Sequence, residues 1–194
     1  MRTAKIERKT KETRISLELN LDGIGEYRIE TPLKFLNHML ENLSRHSRFD
    51  LRIDAKGDVE VDDHHLVEDI GTCLGMALEK ALGDKKGIQR MGCAIVPMDD
   101  ALATVAVDLS GRGYAKVEIP FSEFKEGKLG DLSKENIPHF FESFALNGRF
   151  NLHMLVEGKN DHHKVESCFK ALARALYDAT RIIGEEIPST KGVV

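Results

Sequence analysis

Two hydrophobic periods follow one another along this chain, and the order in which they come is repeated. Apolar residues fall on every second position in "TRISLELNLDGIGEYRIET" and again in "ATVAVDLSGRGYAKVEIP". That period marks half-buried strands, and the central Asp-Gly-Ile-Gly and Ser-Gly-Arg-Gly predict a hairpin turn in each. The next segments, "FLNHMLENL" and "IPHFFESF", switch to helical spacing and carry one histidine at the matching place, His38 and His139. A strand is predicted after both, "FDLRIDAKG" and "FNLHMLVEG". Then comes a long amphipathic helix that opens on His-His, "HHLVEDIGTCLGMALEKAL" or "HHKVESCFKALARALYDATRII". Both copies therefore run strand, strand, strand, helix, strand, helix. Shared element order with matching polar residues predicts an internal duplication. The expected fold is α+β, a two-layer α/β sandwich in halves 1–87 and 88–184, with the break at Gly83 and Gly87 around "DKK".

Composition narrows the function classes. At 194 residues and 41% apolar content the chain can bury a good core, and its mixed charges sum to -4. No basic stripe offers itself to a phosphate backbone, so nucleic acid is not an expected partner. Neither is a membrane, because no apolar run approaches the roughly 18 residues of a span. "MRTAKIERKTKETRI" lacks an apolar core with a cleavage site, so a cytoplasmic protein is expected. Cys73, Cys93 and Cys168 have no CxxC spacing and read as small buried hydrophobes.

The candidate chemistry lies in "DDHHLVEDIG" and "NDHHKVESCF". On a helix His64 and Glu68, four apart, share a face, while His65 points about 100° away. His162, Glu166 and His163 repeat this. One such helix offers ligands in two directions. If a pseudo-twofold relates the halves, the ligand sets exchange under it. One ion then takes His38, His65, His162 and Glu166, and the other takes His64, Glu68, His139 and His163. Three imidazoles and a carboxylate suit a borderline divalent ion, manganese ahead of zinc, with positions left open for water or substrate. A single His-x-x-x-Glu at a helix start is ordinary capping and surface charge. Repetition of the whole constellation is what turns it into a ligand set. As ligands, His46 and His153 have no matched partners.

The succession "RKTKET", "LDGIG", "FLNHML", "DDHHLVED", "PMDDAL", "DLSGRGY", "HFFESFA", "NDHHKVES" and "PSTKGVV" resembles the imidazoleglycerol-phosphate dehydratase family of histidine biosynthesis. One residue is missing from the loop before His162 relative to that family, outside the ligands. The resemblance implies a duplicated ribosomal protein S5 domain 2-like fold and two Mn2+ per active site, on the eight ligands above. It also implies a homo-oligomer of 24 chains with sites at subunit boundaries. The implied reaction converts imidazole glycerol phosphate to imidazole acetol phosphate and water. The proton removed is activated only by the imidazole ring. A ring held through both nitrogens between two ions could expel the hydroxyl through a diazafulvene-like intermediate, which gives the duplication a chemical purpose.

By the same resemblance, substrate contacts fall on Glu12, His38, His46, His64, Glu68, Arg90, Arg112, His162, Lys170, Ser189 and Lys191. Glu12, Glu68 and Glu166 are the catalytic candidates, with Asp99 and Asp100 of "PMDDAL" as second choices for proton transfer. Arg90, Arg112, Ser189 and Lys191 have the chemistry for a phosphate, and the tail 185–194 is expected to close over the substrate. Two other classes use the same residues. A dinuclear-metal phosphate ester hydrolase would release phosphate, and a non-enzymatic metal-binding assembly would need no phosphate-binding arginines.

Overall fold

The computed structural model describes residues 1–122, 127–192 and 194. The first half contains β1 (Thr3–Lys9), β2 (Thr13–Asn20), β3 (Tyr27–Glu30), α1 (Lys34–Ser47), β4 (Asp50–Gly57) and α2 (His64–Leu82). The second contains β5 (Met91–Met98), β6 (Ala101–Asp108), β7 (Tyr114–Glu118), α3 (Asn136–Asn147), β10 (Asn151–Glu157) and α4 (Asp161–Thr180). A small hairpin of β8 (Lys128–Leu129) and β9 (Leu132–Ser133) precedes α3 and has no counterpart in the first half. The duplicated order read from the hydrophobic periods is thus the order of the fold.

The two expected hairpins do not form. The sheets run β1-β2-β4-β3 and β5-β6-β10-β7, so β4 separates β2 from β3 and β10 separates β6 from β7. β4 pairs antiparallel with β2 and parallel with β3, which makes β3-α1-β4 a crossover unit. Asp50 explains the open loop, because its carboxylate accepts the amides of Ile24, Gly25 and Glu26 at 2.9–3.1 Å. An Asp-Gly-Ile-Gly stretch tied to a third strand cannot close as a turn. The real hairpins are β1–β2, through Thr10–Glu12, and β5–β6, through Asp99 and Asp100.

Two smaller expectations also fail. The α4 helix stops at Thr180, because Ile182 leaves to bridge with Ile88 and Arg181 is extended. Cys73 and Cys168 are buried as expected, and burial pushes their thiols up to about 11 and about 12. Cys93 is exposed, because β5 alternates and its odd-numbered residues face outward.

Each sheet covers one face with its helices: Ile15, Leu17 and Leu19 point inward from β2, and Ala103, Val105 and Val107 from β6. The helices then pair across the halves. α2 lies on α3 and α1 on α4, in parallel, so the N-termini of each pair come together. The α2–α3 approach depends on glycine. A Cβ at Gly71 would meet the Phe140 carbonyl at 2.7 Å, and one at Gly75 would meet the Phe144 carbonyl and the Gly148 amide at 2.6 Å. Gly75→Ala is therefore expected to destabilise the fold by about 1–3 kcal/mol through overpacking. On an open helix the same change would stabilise by about 1 kcal/mol. The urea midpoint decides between the two signs.

Candidate metal and substrate site

Two histidine–carboxylate clusters form where the parallel helix pairs begin. At the α1–α4 end, ligand atoms of His38, His162 and Glu166 all lie within 4.8 Å of one another, the one such group among the described residues. Glu166 Oε2 is 3.1 Å from His162 Nε2 and 3.4 Å from His38 Nε2. Burial pushes the Glu166 carboxyl up. Lys170, 2.8 Å from Oε1, together with His162 and His38, outweighs this and holds it below the usual carboxylate range. At the α2–α3 end the matching residues meet more loosely. His64 Nε2 is 3.7 Å from Glu68 Oε2, and the His64 and His139 rings are 5.3 Å apart.

The other histidine of each pair turns away, as the helix geometry requires. The rings of His64 and His65 are 84° apart in plane, and those of His162 and His163 80°. His65 Nδ1 sits 3.1 Å from Asp58, and His163 Nδ1 sits 2.6 Å from Asp100. Asp58 raises the His65 pKa first, with the Glu12 charge contributing, so Glu12 belongs to the His65 neighbourhood. Asp100 is held well below the carboxylate range by His163 and by the amides of Asn160 and Lys159. Within one chain the structure brings together three of the four donors predicted for each ion. It does not bring His65 to the first cluster or His163 to the second.

The donor chemistry fits a divalent ion. A metal-binding imidazole commonly donates its second nitrogen's proton to a carbonyl or carboxylate, which fixes the ring. His64 Nδ1 meets Asn136 Oδ1 at 2.9 Å, and Asp58 and Asp100 hold His65 and His163 in the same way. Nε2 is left free in His65 and turned toward a carboxylate in His38, His64 and His162. Asp58 and Asn136 were missed in the sequence, although an acid near each His-His pair was a signal worth following.

The second-half hairpin holds the helix starts in place. Asp131 accepts the amides of Lys34 and Phe35 at 2.5 and 3.0 Å, capping α1 from 97 residues away. Ser133 donates its amide and hydroxyl to Asp63 at the start of α2. Lys134 Nζ lies 2.9 Å from Asp161 at the start of α4, an ion pair without hydrogen-bond angles. Burial pushes the Asp161 carboxyl up, but Lys164 and Lys134 outweigh it and bring it to about 2. Asn160 caps α4 itself, accepting the amides of His162 and His163.

The remaining candidates divide between two places. His46 is close to Lys170 and Arg174; burial, then these cations, lower its pKa. Arg90, Arg112 and the tail lie at the other end of the second sheet. Arg90 pairs with Asp108 at 2.7 Å and donates to the Pro188 carbonyl at 2.8 Å. The tail is pinned further by a 2.8 Å hydrogen bond from the Gly87 amide to the Glu186 carbonyl, with Ser189 and Lys191 exposed or half-buried beyond it. Arg112 is exposed between Gly111, at φ 74°, and Gly113. β5 spans the interval from Arg90 to Met98, whose sulfur is 3.8 Å from Lys170 Nζ. Eight residues of strand put these two groups about 26 Å apart.

Known proteins resemble this chain in sequence and in fold. The family model described as imidazoleglycerol-phosphate dehydratase matches residues 31–176. A protein of that name from Methanothermobacter thermautotrophicus is 54% identical over 99% of this chain and 97% of its own length. One from Methanococcoides burtonii is 52% identical over the whole of both chains. The crystal structure of the dehydratase from Pyrococcus furiosus, in complex with (S)-C348, superposes with a TM-score of 0.84 at 38% identity, covering 97% of this chain and 100% of that one. The Staphylococcus aureus dehydratase gives 0.81 at 35%, covering 93% and 99%. With matching sequence along its whole length and matching structure over nearly all of it, the chain belongs to the imidazoleglycerol-phosphate dehydratase family.

Proposed function

We propose that this chain removes water from imidazole glycerol phosphate to give imidazole acetol phosphate, as a cytoplasmic enzyme of histidine biosynthesis. Its two clusters would hold two divalent ions, Mn2+ first, against the two ring nitrogens. The supporting observation is the pair of pseudo-equivalent His–Glu clusters with inward Nε2 atoms, in a member of this family. Bound ions would supply Lewis acidity to both ring nitrogens. The protein's own groups do the rest. Loss of the carbon-bound proton and the neighbouring hydroxyl leaves an enol that tautomerises to the ketone, with the phosphate ester intact.

Three donors per cluster in one chain, with His65 and His163 facing elsewhere, support sites shared between copies. His65 of one copy would complete His38, His162 and Glu166 of another, and His163 would complete His64, Glu68 and His139. Glu12 then arrives beside His65 and is the candidate for moving the carbon-bound proton. Asp100 is engaged by His163, which suits it to orienting that ring rather than to proton transfer. Asp99 is exposed, 3.6 Å from His163 Nε2. His46 and Lys170 line the first cluster's approach. Arg90, Arg112, Ser189 and Lys191 would bind phosphate, with the tail closing over it. A substrate roughly 10 Å long by its bond lengths cannot reach both ends of β5, so this group also serves another copy's site. A particle of 24 chains accommodates all these contacts.

With Mn2+ and imidazole glycerol phosphate, the purified protein should form the ketone and release no phosphate; phosphate release would point to ester hydrolysis. In that assay Glu12→Gln should lower turnover about 100- to 10,000-fold while elemental analysis finds the metal retained. Near-normal turnover would remove Glu12 from proton transfer. His38→Ala and His65→Ala chains should each be inactive and regain activity when co-assembled. No regain would place all four donors of one ion on one chain. Chelator or mild acid should break the particle into smaller units, and Mn2+ at neutral pH should rebuild it, because metal that binds only the assembly stabilises it by mass action. An unchanged scattering mass with the metal gone would show that the ions are not clamps.

A further inference from the structure

Duplication supplies an internal control for reading the site, because strand register tells which residue of one half stands where in the other. Thr3 pairs with Asn20 as Met91 pairs with Asp108, and the two hairpins then run in step to their turns, where Thr10 matches Met98 and Thr13 matches Ala101. Glu12 is therefore the counterpart of Asp100. His65 and His163 correspond in the same way, each being second in its His-His pair. Asp100 accepts from His163 Nδ1 at 2.6 Å, but the carboxylate on His65 Nδ1 is Asp58, at 3.1 Å. One half has changed the residue that holds its outward ring.

Two further differences accompany that change. Five residues, 58–62, join Gly57 to Asp63, whereas only two, 159 and 160, join Gly158 to Asp161. The longer loop opens on Asp58. The shorter one lays the Lys159 and Asn160 amides on Asp100 at 2.6 and 2.9 Å, so one carboxylate holds both its own turn and the ring. The Glu12 turn is held from beneath by other groups. Thr13 Oγ1 donates to the buried Asp69, and Thr10 Oγ1, 3.2 Å from Thr13 Oγ1, accepts the Glu12 amide at 3.1 Å. Ala101 and Met98 cannot build such a chain in the second half. No hydrogen bond or ion pair among the described residues engages the Glu12 carboxylate, although its charge acts on His65.

We propose that Asp58 is a positioning residue that holds the His65 ring in place of Glu12, and so leaves the Glu12 carboxylate free to move the substrate proton. This rests on the reading of His65 as a metal ligand and of Glu12 as the proton carrier. A strictly symmetric duplication would put one carboxylate behind each outward histidine and spare none. Elimination takes one proton from one carbon, so one side of the ring needs an unengaged carboxylate and the other does not. A carboxylate behind a ligating imidazole fixes its tautomer and orientation, and an oxygen committed to that bond is withdrawn from the substrate. The longer loop and the Asp69–Thr13–Thr10 chain together take over both tasks that Asp100 performs for its own half.

Mn2+ affinity, measured by competition with a chelator, reads this arrangement without turnover. Asp58→Ala should weaken the ion held through His65 about 10- to 100-fold, the usual loss when a group behind a ligating imidazole is removed, and Asp100→Ala should do the same to the other ion. Glu12→Ala alone should leave both affinities unchanged. Once Asp58 is gone Glu12 falls back on His65, so Glu12→Ala added to Asp58→Ala should weaken that ion at least about tenfold further. Asp58→Asn, which keeps an acceptor oxygen in the same place, should restore most of the affinity. Wild-type affinity in Asp58→Ala overturns the proposal, as does a double variant no weaker than Asp58→Ala. If Asp58→Ala does not fold, Glu12→Ala and Asp100→Ala decide between themselves, because equal losses would show the two counterparts still doing one job. The dehydratase assay is read separately. Ketone formation by a protein whose Asp58→Ala variant binds Mn2+ normally rejects this division of labour and leaves the function standing; the expected affinities without ketone formation do the reverse.

Discussion

The close parallel contact between helices of opposite halves is the constraint on which the rest of this structure depends. α2 can touch α3 backbone to backbone only because Gly71 and Gly75 present no side chain there. The same partnership joins α1 to α4. Since each pair is parallel, its two N-terminal turns end side by side, one from each half. His38 thereby meets His162 and Glu166, and His139 meets His64. Neither half could build such a cluster with its own helices, because the packing that creates the core also mixes their histidines and glutamates.

Rigidity at these helix starts comes from electrostatics that a repeat alone would not supply. Asp131, Ser133 and Lys134 belong to the hairpin segment found only in the second half, and together with Asn136 at the start of α3 they reach α1, α2, α4 and the His64 ring in turn. A side chain that caps a helix from a distant segment fixes that helix's start relative to the segment, which local capping by Asn160 cannot do. The two copies have therefore specialised: both bring candidate donors, and one also brings the brace. The outer faces tell the same story, charged on one sheet and apolar on the other.

Adjacent histidines on a helix cannot point into one site, and the proposal of sites shared between copies rests on this. The roughly 100° between neighbours puts His65 and His163 on Asp58 and Asp100, facing out. An imidazole anchored at Nδ1 with Nε2 presented outward is suited to complete a site on another copy, as proposed. Division of the phosphate-binding candidates from Lys170 along the length of β5 points the same way.

By itself the sequence determined the duplication, the element order, the candidate donor residues and the split of each His-His pair, because all of these follow from local periodicity and helix geometry. It also carried the family, since the quoted motifs are contiguous runs. Tertiary structure decided the rest. Strand order depended on where β4 and β10 inserted, and no turn motif encodes that: Asp50 claimed the amides of a loop that reads as a hairpin. Cys93 became exposed because the outer side of β5 has no cover there among the described residues, a fact invisible to a residue scale. Asp58, Asn136 and Asp131 took their roles from contacts 7, 72 and 97 residues away in sequence. Position along the chain specifies what each residue can do, and only folding specifies which partners it meets.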